Sequence, residues 1–154
     1  DVYKRQGIDT ANKDSDPMDD HSHGTHCAGT IAAVGNNSKG VVGVNWTAKI
    51  MALKFLSSLG SGFDADAIET IEYVIDQKVN HNQNVVAINA SWGGGDYNSL
   101  LSDAIEAAGD AGIVFCAAAG NSNEDNDITP HYASSPRRME SQDDDHGPRT
   151  YPQG

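Results

Sequence analysis

The chain has 154 residues, 38% of them hydrophobic, which is enough for one domain with a core of its own. Asp and Glu number 22 against 10 Lys and Arg, and the resulting formal charge of −12 argues against nucleic acid and anionic membrane surfaces as partners. No run of 18 apolar residues occurs, so no membrane-spanning helix is expected, and an acidic surface suits a secreted protein that also holds divalent cations.

In chain order, residues 1–6 resemble translated adaptor sequence, and residues 4–6 take no part in the expected fold. With such a start, the lack of a visible leader says nothing. Residues 7–20 are polar and rich in aspartate, which predicts a loop. His23 then opens a segment of small and apolar residues that predicts a buried helix to about Val34, followed by a turn cluster over 35–40. Residues 49–56 form a short apolar run that predicts a buried strand, and 57–62 a flexible loop.

From Asp64, a candidate N-cap, Ile68, Ile71, Ile75 and Val79 share one helical face. Residues 85–91 predict the next strand. Leu101, Ala104, Ile105 and Ala108 predict a second amphipathic helix, closed by Gly109 and Gly112, and residues 113–119 a third apolar strand. Three strand–helix alternations predict an α/β fold: a parallel sheet with helices on both faces. Ligands of such sheets meet the carboxyl ends of the strands, where Ser91 and Gly120-Asn121 stand. Cys27 and Cys116 lie in apolar contexts and are expected as buried free thiols. Residues 134–154 have no periodicity and almost no aliphatic side chain, which predicts a disordered tail. Its origin is a native acidic linker or a reading-frame slip near residue 133.

Three segments carry chemistry. In Asp19-Asp20-His21-Ser22-His23-Gly24-Thr25-His26-Cys27-Ala28-Gly29-Thr30, an imidazole enters the first turn of a helix, a placement that suits a general base for a serine hydroxyl. In Asn89-Ala90-Ser91-Trp92-Gly93-Gly94-Gly95 and Ala117-Ala118-Ala119-Gly120-Asn121, small residues at strand ends leave room for a peptide backbone, and a carboxamide stands where it could stabilise an oxyanion. These segments resemble the H-G-T-H-V-A-G-T, S-x-G-G and A-A-G-N motifs of the subtilisin-like serine proteases (subtilases), and they occur in the family's order.

The resemblance implies an incomplete, subtilisin-like three-layer αβα domain over residues 7–133 that belongs to a secreted serine endopeptidase acting on polypeptides. It implies His23 as general base, Asn121 as oxyanion donor, and Ser91, Trp92 and Gly93 as partners of the substrate backbone. Ala119 and Gly120 would border the pocket for the residue before the scissile bond, and His26 would be structural. Residues 7–17 resemble the G-W-D-F-x-x-N-D-x-x-P segment of thermitase-like subtilases, which implies calcium held by Asp9, Asp14 and Asp16. Asp19 and Asp20 are expected to stay solvated.

The D-[ST]-G turn and the G-T-S-M-A helix start are not among these 154 residues, so the chain alone is expected to be inactive. A non-catalytic calcium- or peptide-binding module with the same cleft is the alternative. Zinc held by His21, His23 and His26 is disfavoured, because their spacing does not fit a zinc helix and no Glu stands between them.

Overall fold

The 3.6-residue repeat of apolar side chains decides where the core forms. Helix α2 (Asp64–Val79) buries Ala67, Thr70, Ile71 and Val74, and helix α3 (Ser99–Asp110) buries Leu101, Ser102, Ala104 and Ala108. Their stripes pack on each other around Phe55 and Ile113, and the alanines of α3 let the two helices approach closely. The computed structural model describes residues 7–126 and 128–133. The expectations for residues 1–6 and 134–154 lie outside those residues.

Around the helix pair stand α1 (His23–Ala32) and four short strands: β1 (Gly7–Asp9), β2 (Ala52–Lys54), β3 (Ala87–Ala90) and β4 (Val114–Ala117). Both strand pairs are parallel. Gly7, Ile8 and Asp9 lie opposite Ala52, Leu53 and Lys54, while Ala87 through Ala90 lie opposite Val114 through Ala117. The fold is thus α/β with parallel pairing, as expected, and incomplete. In place of the expected single sheet, the strands pair as two two-stranded sheets among the described residues. A cavity of about 90 Å³ lies beside β2 and β3, lined among others by Leu53, Phe55, Ile71, Ile88 and Phe115.

Several local expectations are corrected. The apolar runs predicted as strands are longer than the paired segments, because a strand exists only where a ladder partner does. Strand β4 alternates exposed Val114 and Cys116 with half-buried Phe115 and Ala117, so one face is covered rather than two. Cys116 is therefore exposed and Cys27 only half-buried, and both thiols are free. The polar stretch read as a loop begins with β1, whose Asp9 is buried.

Helix α1 has no buried residue and stops at Ala32. Residues 43–45 are strapped along its end, with the amides of Gly43, Val44 and Asn45 donating to the carbonyls of Ala33, Thr30 and Ile31 at 2.9, 3.0 and 2.9 Å. Gly43 is required there, since a side chain would strike the backbone of Ala32 and Ala33.

Asp64 is not the N-cap of α2. Phe63 holds the extended cap position, and Asp64 is the first helical residue, where its charge faces the positive end of the helix dipole. Asn98 caps α3, accepting from the amides of Leu100 and Leu101 at 3.0 and 3.3 Å, and its side-chain amide donates to Asp64 at 2.8 Å. One asparagine thus fastens the two helix starts together. Gly109 lies inside α3. Gly112, at φ +71°, follows its end in the left-handed conformation that glycine adopts freely.

Candidate active site

The parallel register of β3 and β4 sends two chain segments off the same end of the sheet. Ala90 lies opposite Ala117, and the Ala118 amide donates to the Ala90 carbonyl at 3.0 Å. Ser91, Trp92 and Gly93 continue one strand, and Ala119, Gly120 and Asn121 the other.

Ser91 Oγ accepts from the Asn89 side chain at 2.8 Å. Trp92 turns its indole inward, edge-on to Phe55 at 4.9 Å between ring centroids, so its side chain anchors the segment to the core. Gly93 is exposed and Gly94 has φ +116°, which keeps the backbone here bare and sharply turned. Ala119, Gly120 and Asn121 are exposed, and the Asn126 side chain donates to the Ala119 carbonyl at 2.9 Å.

His131 joins the two segments. Its ring lies so close to Gly93 and Gly120 that a side chain at either glycine would collide with it, and Gly120 is further constrained by φ +92°. The Tyr132 carbonyl accepts from the Gly94 amide, and the Tyr132 ring meets Tyr97 edge-on at 5.8 Å. The sequence reading did not assign His131 a role. The signal available was its place in the Pro130-His131-Tyr132 run that follows the second motif.

His23 is the first residue of α1 and is exposed. Its Nε2 lies 3.7 Å from the Cys27 sulfur one turn on, and its ring meets His21 edge-on at 6.5 Å. Asp19 organises this helix start and is not merely solvated. Its carboxylate accepts from the amides of His21, Ser22 and Thr25 at 2.9, 3.0 and 2.7 Å. The Thr25 hydroxyl above all, with those amides, holds the Asp19 carboxyl far below the usual carboxylate range, against the opposing effect of burial. The adjoining Ser22 takes φ +81°, so the chain turns sharply into the helix.

Asp20 stays exposed, as expected, with 44% of its side chain open to water. It also lies 3.4 Å from the Lys54 ammonium, which is 3.2 Å from Asp9. Burial pushes the Asp9 carboxyl up, but hydrogen bonds from the Asn12 amide and side chain, with the Lys54 charge, bring it below its ordinary value. Lys54 and Asp19 are the contributors that sequence reasoning missed. Lys54 sits in an apolar run and Asp19 in a row of acidic residues, so neither had a pattern to mark it.

The three carboxylates expected to hold calcium are not gathered as ligands. Asp9 faces Lys54 and Asn12, Asp14 Oδ1 accepts from the Asp16 amide at 2.8 Å, and Asp14 and Asp16 are exposed. Among the described residues, no three His, Cys, Asp or Glu side chains come together as a metal site would require, and that includes His21, His23 and His26. As arranged, these residues do not fit a bound calcium ion.

A family model of the subtilase family (peptidase S8) matches residues 1–147. Thermitase of Thermoactinomyces vulgaris is 39% identical over 129 residues, covering 84% of this chain and 44% of its own length. Subtilisin-like protease 1 of Plasmodium berghei (strain Anka) is 38% identical over 121 residues, covering 79% of this chain and 19% of its own. Among solved structures, a cold adapted subtilisin-like serine proteinase superposes with a TM-score of 0.63 at 31% identity, covering 79% of this chain and 41% of its own. The chain thus spans less than half the length of each of these relatives.

Proposed function

The chain belongs to the subtilase family, and from that premise we propose that it forms part of a secreted serine endopeptidase that cleaves peptide bonds by acyl transfer. One observation carries the reading: β3 and β4 run parallel with Ala90 opposite Ala117, so the two glycine-containing segments leave the sheet side by side. An extended peptide lies along Ser91, Trp92 and Gly93, where bare glycine backbone admits a further strand. Ala119 and Gly120 border the pocket for the side chain before the scissile bond.

In the reaction, His23 accepts the proton of a serine hydroxyl as that oxygen attacks the peptide carbonyl, and returns it to the leaving amine. The tetrahedral intermediate places negative charge on the former carbonyl oxygen, toward which the Asn121 carboxamide donates. For the oxyanion asparagine of subtilisin itself, loss of the donor lowers turnover by about 10²–10³, a magnitude borrowed from that enzyme. The attacking serine and the carboxylate that orients the imidazole have no matching motif in these 154 residues, so the isolated chain is inactive in this reading.

The test is a titration of the isotopically labelled chain with an unlabelled extended peptide. The amide signals of Ser91, Gly93 and Gly120 should move together, and a peptide that shifts only signals elsewhere refutes the cleft. A fluorogenic peptide assay of the same chain should give no turnover. Hydrolysis blocked by a serine-directed phosphonate would mean that the nucleophile lies within this chain after all.

A further inference from the structure

Two carboxylates from opposite ends of one loop meet at a single buried ammonium. Asp9 closes β1 and Asp20 precedes α1, yet both approach Lys54 Nζ, at 3.2 and 3.4 Å. The Lys54 Nζ is withdrawn from water and meets no hydrogen-bond geometry among the described residues, so its charge is compensated by ion pairing with these two carboxylates. Asp9 Oδ1 also accepts from the Asn12 amide at 2.8 Å, and Oδ2 from the Asn12 side chain at 2.7 Å. A calcium ion takes carboxylate oxygens at about 2.3–2.6 Å, so one bound to Asp9 would sit within a few ångström of a fixed positive charge.

The same loop is fastened to α2 by a second lysine: Lys13 donates to Asp66 at 2.6 Å and Glu69 at 3.1 Å. The Thr10 hydroxyl adds donation to the Asp66 carbonyl at 3.0 Å. At the other end, Asp20 directly follows Asp19, whose carboxylate accepts from the amides of His21 and Ser22 just before α1 and of Thr25 in its first turn, and α1 opens with His23.

We propose that the Lys54 ammonium is the counter-charge of the loop over residues 10–22 in place of a divalent cation, and that through Asp20 it is a positioning residue for His23. The second half rests on the reading of His23 as the general base, whereas the first stands on the geometry alone. Lys54 thus joins the buried end of β1 to the start of the histidine helix, and the loop needs no metal to hold its shape.

Thermal unfolding of the 154-residue chain in excess CaCl2 and in chelator tests this. The wild-type midpoint should agree between the two conditions to roughly 1 °C. Lys54→Met should melt several degrees lower in chelator and recover with CaCl2, because two carboxylates have lost their cation. Lys54→Arg should stay indifferent to calcium. The ring signals of His23, read by NMR, should shift in Lys54→Met and return in Lys54→Arg.

A wild-type midpoint that rises with calcium overturns the proposal, as does a Lys54→Met chain as stable as wild type in chelator. If Lys54→Met does not fold, the wild-type midpoint and that of Lys54→Arg decide the matter by the same calcium comparison. Unmoved His23 signals alongside the expected calcium behaviour remove the positioning half only. Failure of His23 as a base would show separately, in the catalysis of a longer enzyme.

Discussion

Asp9 and Lys54 are partners twice over: they lie opposite each other in the β1–β2 ladder, and their charged groups are 3.2 Å apart with side chains 1% and 9% exposed. Removing one partner of a buried pair leaves the other charge uncompensated, which typically costs more than the pair itself contributes. Asp9→Ala should therefore lower stability by about 3 kcal/mol. Urea denaturation checks it through a lower midpoint at unchanged slope. A loss comparable to that of an exposed acidic residue would mean that water already solvates the pair.

The acid limb of stability should carry the signature of Asp9 and Asp19. Both carboxyls are held below their ordinary value of 3.8, so the unfolded chain binds protons more readily than the folded one at low pH. Their stabilisation is complete above the ordinary carboxyl range and is lost as pH falls through the lower folded values. The melting midpoint should stay level from neutrality to about pH 5 and drop below about pH 4. Asp19→Ala should cost about 1 kcal/mol at neutral pH through the lost cap, and should flatten the acid limb. Parallel acid limbs in the two proteins would assign the lability to other groups.

Gly93 and His131 should behave as a coupled pair. A methyl at Gly93 meets both the His131 ring and the Tyr132 carbonyl, so Gly93→Ala should destabilise by about 1–3 kcal/mol. In a His131→Ala background the ring contact vanishes while the carbonyl contact stays. The cost should then fall by at least about 0.5 kcal/mol, and additive effects in this double-mutant cycle would place the ring elsewhere.

Ile71 and Val79 lie on one predicted helical face, but only Ile71 is buried, whereas Val79 is 59% exposed. Ile71→Ala should cost about 3 kcal/mol by opening a cavity between α2 and α3. Val79→Ala should stay within about 0.5 kcal/mol. Equal losses at the two sites would contradict the packing described here.

What the linear chain determined by itself is what local periodicity and contiguous motifs encode. The helical period of 64–79, the parallel α/β order, and the segments around His23, Ser91–Gly93 and Gly120–Asn121 are each written in consecutive residues. The buried stripe itself runs through Ala67, Ile71 and Val74 rather than through Ile68, Ile75 and Val79. The resemblance of those segments to family motifs is legible without knowledge of distant neighbours.

What only the tertiary structure decided depends on partners far apart in sequence. Lys54 reads as one polar interruption of an apolar run until the β1–β2 register places Asp9 beside it, and Asp20 joins them from the next loop. His131 reads as a loop histidine until Gly93 and Gly120 are brought against its ring. The same holds for the loop over residues 10–22: a row of aspartates fixes how much negative charge it carries, and only the fold brings Lys54 to Asp9 and Asp20.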